Sequence, residues 1–171
     1  MEATKSQPRS RKIAHKSPDD RARNHSNLIC ARSVALLSYH LLGQEIIPCV
    51  PYTDIRGYDM ITDYYGQLCR AQVRSAGLRR GEQKPFLAPS SFTFSILRQR
   101  KKKAPTEHTP FVANRHFAPG EVDVFVFVHV DYQYIFIVPT RAIDLTRTKF
   151  TVHVGDRWQN AWTELRQQPQ T

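Results

Sequence analysis

The chain has 171 residues, with 25 Lys and Arg against 15 Asp and Glu, for a formal charge of +10 and a pI near 9.9. That length fits one domain plus ends. No apolar run reaches the roughly 18 residues a bilayer span needs and the polar N-terminus lacks a secretory signal, so a soluble intracellular protein is expected, cytoplasmic and nucleoid-associated in a prokaryote. The excess charge calls for a polyanionic partner, with nucleic acid ahead of an acidic membrane surface.

Residues 1–25 carry seven Lys or Arg against three acids and almost nothing apolar, so this stretch is expected to be a disordered basic arm. From Ser26 or Asn27 as N-cap, the run Leu28 to Leu42 predicts a helix ending at Gly43. It is apolar over so much of its circumference that it should be largely buried on a sheet. His40 fits its C-terminal turn, near the negative end of the dipole. Pro48 demotes the apolar run from Glu45 to Val50 to an edge or irregular strand.

Residues 56–75 predict a hairpin. Cys69, Ala71 and Val73 alternate with Arg70, Gln72 and Arg74, as a half-buried strand requires. The other arm puts Tyr58, Met60 and Thr62 on the buried side and Asp59, Ile61 and Asp63 on the polar side, with Tyr65-Gly66 as the turn. Pairing symmetric about that turn sets Asp59 opposite Gln72, with Arg74 diagonal on the same face. A carboxylate, an amide oxygen and a cation converging there suit a hard divalent metal and a phosphate oxygen. The same alternation is also what the solvated face of a strand looks like.

Further along, residues 76–92 read as a long loop carrying Arg79, Arg80 and Lys84. A strand over Phe92–Leu97 runs into Arg98, Arg100, Lys101, Lys102 and Lys103, a phosphate-contacting patch or an exposed loop. Phe111 and Phe117 are expected in the core first and as base-stacking rings second. Val122–Val130 and Tyr134–Val138 predict a central hairpin covered on both faces, with Asp123 either solvated or paired to a cation. A short helix is expected at residues 139–143, a strand at Phe150–Val154, and a final helix capped by Asp156 with Trp158, Trp162 and Leu165 on one face. Cys30, Cys49 and Cys69, odd in number and widely spaced, are expected as buried free thiols.

Three local patterns carry a resemblance. The leading helix stops at Gly43 before Ile46-Ile47-Pro48; Tyr58-Asp59-Met60 is followed across a Gly turn by Ala71-Gln72-Val73-Arg74; and Val122-Asp123-Val124-Phe125 leads to Tyr134-Ile135-Phe136-Ile137-Val138-Pro139-Thr140. Over residues 27–145 this is similar to the small PD-(D/E)XK nucleases, closest to those encoded in group I introns. The resemblance implies an α/β fold with a restriction-endonuclease-like mixed sheet of four to six strands flanked by helices. Together with the composition of the ends, the chain is expected to divide into a basic arm at 1–25, the domain at 26–166 and a tail at 167–171.

The resemblance also implies metal-dependent endonuclease activity on DNA, using Mg²⁺ or Mn²⁺ held weakly by Asp59 and Gln72. Arg74 stands where the family has a lysine, a planar guanidinium in place of a compact ammonium. Arg32 and Ser33 stand where the family often carries a metal-binding Glu. Those departures also fit a reduced nuclease that only binds nucleic acid, DNA first and RNA second. A homo-oligomer is left open.

Overall fold

The structure, a computed structural model, describes residues 18–51, 58–78, 88–97 and 116–166, with side chains from Asn24 onward. Helix α1 spans Pro18–Gly43. It therefore starts about two turns before the expected cap at Ser26 or Asn27, at a proline, whose fixed φ and missing N–H suit a first turn. Its C-terminus closes with Ile46 N–H donating to Leu41 O at 3.0 Å and Glu45 N–H to Leu42 O at 3.1 Å. The left-handed residue this cap needs is Glu45, at φ 60°, rather than Gly43.

Strands β1 (Ile47–Cys49), β2 (Met60–Tyr64), β3 (Gln67–Ala76), β5 (Val124–His129) and β6 (Tyr134–Pro139) form one mixed sheet in the order β1-β2-β3-β5-β6. Only β3 and β5 run parallel. Strands β4 (Ser91–Ser95) and β7 (Lys149–His153) pair as a separate antiparallel ribbon. The expected α/β class and mixed sheet are present, with α1 on one face and the ribbon on the other.

Period two distributes the side chains between these layers. Cys69, Ala71, Val73, Val124, Val126, Val128, Ile135 and Ile137 pack with Leu37 and Leu41 on the helix side. Phe125, Phe127, Phe136 and Val138 pack with Phe92, Phe94 and Val152 on the ribbon side. Each fully buried phenylalanine contributes roughly 2–3 kcal/mol. Both faces of β5 and β6 are covered, as their apolar runs require.

Several expectations are corrected. Helix α1 is buried along Ser33, Leu37 and Leu41 only, while Leu28, Tyr39 and Leu42 face outward and are exposed. Tyr58 precedes β2 and packs on the ribbon side, away from Met60 and Thr62. Of the cysteines, all free, only Cys69 is buried. The final helix is replaced by a run of turns, an isolated bridge from Gln159 to Phe136 and a single 3-10 turn at Trp162–Leu165. There Ile137 N–H donates to Trp158 O at 2.8 Å and Asn160 N–H to Ile135 O at 2.9 Å, so the segment covers the β6 edge. Trp158 consequently joins the ribbon-side core and Trp162 and Leu165 the helix-side core. Residues 139–143 do form a 3-10 turn, at Thr140–Ala142. Of the proposed arm and tail, 1–17 and 167–171 lie outside the described residues, and residues 18–25 belong to α1. None of the described helices is long and apolar enough to cross a membrane.

Candidate functional site

The site begins with a turn. Tyr65 and Gly66 sit at φ 49° and 85°, the left-handed pair that a two-residue hairpin uses to match strand twist. Asp63 Oδ1 accepts the Gly66 N–H at 2.7 Å and fixes it. The resulting register pairs Met60 with Ala71 and Thr62 with Cys69, so Asp59 falls beside Gln72, as turn symmetry predicts. The ladder continues one step, with Asp59 N–H donating to Ala71 O at 3.0 Å.

The carboxylate of Asp59 accepts the Val73 N–H at 3.0 Å and a hydrogen bond from the side-chain amide of Gln72. Gln72 is only 4% exposed. Its register partner is Phe125, and that of Arg74 is Phe127, which places both on the ribbon side of β3. Asp59, Gln72 and Arg74 thus share one face of the sheet.

Arg74 is wedged between the layers. Its Nη2 donates to Leu97 O at 2.8 Å, just beyond β4, and its guanidinium carbon lies 5.4 Å from the centre of the Phe117 ring. Its Nε is buried with no hydrogen-bond partner among the described residues. Burial pulls the Arg74 pKa down, and the charge of Asp59 pushes it part of the way back. A cation held out of water beside a carboxylate, with one donor unspent, is suited to an anionic oxygen.

Arg70, two residues along the same face, was not singled out by the sequence. Its Nε and Nη2 meet Asp123 Oδ2 and Oδ1 at 3.0 and 2.7 Å, and its backbone N–H donates to Oδ2 at 2.7 Å. This settles Asp123 as paired, and the hydrogen bond to it raises the Arg70 pKa. On the helix, Arg32 pairs with Asp131 at 3.4 Å and the Ser33 hydroxyl donates to Ile29 O at 3.0 Å. Arg79, Arg80, Lys84, Arg98, Arg100, Lys101, Lys102 and Lys103 lie outside the described residues.

Among the described residues no three His, Cys, Asp or Glu side chains cluster as a metal site. Asp59 and Gln72 supply hard oxygen donors of the kind that bind Mg²⁺, an ion that keeps several waters and takes substrate phosphate oxygens for the remainder. The donor set fits such an ion once the Gln72 amide, whose nitrogen faces Asp59 in this structure, turns over to present its oxygen.

No family profile and no curated protein matches the chain. Among solved structures, that of a bacterial homing endonuclease, I-Ssp6803I, superposes with a TM-score of 0.59 at 14% identity, over 81% of this chain and 90% of that one. The two chains share a fold. At that identity the likeness concerns architecture alone, a mixed sheet with a helix across it.

Proposed function

We propose that the protein is a metal-dependent endonuclease of the PD-(D/E)XK type acting on DNA. The reading rests on one observation: Asp59, Gln72 and Arg74 share one sheet face within a fold shared with a homing endonuclease. Asp59 and Gln72 would hold Mg²⁺ or Mn²⁺, which when bound supplies an activated water and draws charge from the scissile phosphate. The Val73 N–H fixes the Asp59 carboxylate, and burial keeps Gln72 beside it, its amide turning over to offer the oxygen to the ion. Arg74, already desolvated, stabilises the charge that grows on phosphorus oxygens without having to be stripped of water during the reaction. Arg79, Arg80, Lys84 and the cluster Arg98, Arg100, Lys101, Lys102 and Lys103 supply sequence-independent backbone affinity.

A second reading has its own support. Gln72 turns its amide nitrogen toward Asp59, so the two already satisfy each other, as in a site that binds nucleic acid without cutting it. Supercoiled plasmid incubated with Mg²⁺ or Mn²⁺ separates the two. Nicking by the wild type that is lost in Asp59→Ala supports cleavage. Salt-dependent binding with equal rates in both proteins, or none in either, leaves the non-cutting binder. A competition between duplex DNA and RNA then names its ligand.

A further inference from the structure

The outer face of α1 carries an exposed apolar stripe. Ser33, Leu37 and Leu41 point into the sheet. On the opposite side Leu28, Ala31, Ala35, Tyr39 and Leu42 are all exposed, with Leu28 at 56%, Tyr39 at 74% and Leu42 at 61%. Leu28, Ala35 and Leu42 are spaced by seven residues, the repeat of a helix seam that faces another helix. From Leu28 to Leu42 the stripe runs for about 21 Å, at 1.5 Å per residue. Exposed apolar side chains in this order suit a contact with another protein.

The order of large and small residues says which protein. Turned end for end about Ala35, the stripe maps onto itself: Leu28 falls on the position of Leu42, and Ala31 on that of Tyr39. In an antiparallel pair related by a two-fold axis at Ala35, each Tyr39 ring would cover the Ala31 methyl of the other copy. Leu28 would meet Leu42 at both ends, and the small side chains at the axis would let the backbones approach. A two-fold contact demands this self-complementarity.

Charge agrees. Between Asn24 and Gly43 the helix has no acid and a single Lys or Arg, Arg32, whose charge is matched by Asp131. The charge of +10 therefore lies elsewhere, and two copies can meet here without facing like charges. A nucleic acid finds no unmatched cation on this stripe.

We infer that the protein self-associates as a two-fold dimer through antiparallel packing of α1 on α1. The contact of three large apolar side chains per copy is small by the standard of stable dimers, so association depends on concentration. The candidate site lies on the other face of the sheet and stays uncovered. The inference stands independently of the nuclease reading.

Sedimentation of the full chain over a concentration series at physiological salt tests it, with circular dichroism confirming that each variant keeps its helix. The wild type is expected to pass from monomer to dimer. Leu28→Glu alone, Leu42→Lys alone and Tyr39→Ser alone should each weaken association about tenfold or more. Leu28→Glu and Leu42→Lys combined in one chain should regain affinity to within about threefold of wild type, because the register brings the introduced acid and amine together across the axis. A wild type that stays monomeric, single variants that dimerise unchanged, or a double variant as weak as the singles overturns the proposal.

Discussion

Asp59 and Gln72 meet side chain to side chain across the β2–β3 hairpin, with the amide nitrogen donating to the carboxylate. Because Gln72 is almost fully buried, the identity of its terminal group decides what can bind beside Asp59. Gln72→Glu exchanges a charge-assisted hydrogen bond for a second carboxylate, and in the absence of metal it should destabilise the fold by about 2–3 kcal/mol. Mg²⁺ or Mn²⁺ should restore that loss and increase nicking over the wild type, since two carboxylates hold the ion better than one. Urea unfolding with EDTA and with Mn²⁺ checks the stability half, and plasmid nicking checks the other.

Arg74 should matter through its charge. Arg74→Met keeps a long apolar stem against Phe117 and removes the cation, so nicking should fall about 10²-fold, equivalent to ~2.7 kcal/mol of barrier. Arg74→Lys retains a positive charge but loses the guanidinium fork that reaches Leu97 O, and a loss of roughly tenfold is expected. Single-turnover rates on one oligonucleotide duplex compare the three proteins.

The exit from β3 is tightly built. A Cβ on Gly77 would lie 2.8 Å from Asp131 Oδ2, 3.0 Å from Val130 Cγ2 and 3.2 Å from Ile29 Cδ1. The Leu78 N–H donates to Asp131 Oδ2 at 2.7 Å in the same spot. Gly77→Ala is therefore an overpacking change and should cost about 1–3 kcal/mol, read from the midpoint of urea unfolding.

The cysteines should separate by reactivity. Cys30 and Cys49 are exposed, while burial pushes the Cys69 thiol up to about 12. A disulfide reagent at pH 8 should label two thiols quickly and the third only on unfolding. In the unfolded chain Cys69 ionises near its ordinary value of about 8.5. Its contribution to stability is thus complete below that pH and is lost as the pH rises toward 12. Denaturation midpoints of wild type and Cys69→Ala across the alkaline range measure it.

Much of the hairpin was legible because one turn fixed it. Tyr65-Gly66 set the register, and the alternation of Cys69, Ala71 and Val73 set the faces. Tyr58 escaped that logic because β2 begins only at Met60, and outside a strand the period of two no longer binds a side chain to a face. The final helix failed for a related reason. Trp158, Trp162 and Leu165 have helical spacing, yet Asn160 takes a left-handed φ of 53° and the backbone bonds to β6 instead. The Arg70–Asp123 pair joins residues 53 apart through a parallel strand contact, and parallel pairing leaves no local mark in a sequence. The all-round apolar character of α1 suggested burial within one chain; its outer stripe is exposed because, among the described residues, the sheet covers the helix on one side only.

The central claim is that Asp59 and Gln72 hold the ion that cuts DNA, and its most direct test is a crystal structure with a short duplex and Mn²⁺, read by anomalous scattering. A peak about 2.0–2.4 Å from a carboxylate oxygen of Asp59 and from the side-chain oxygen of Gln72, with a phosphate oxygen completing its ligands beside Arg74, is the expected result. Duplex bound on this face with no Mn²⁺ beside Asp59, and with the Gln72 nitrogen still donating to it, would contradict the account.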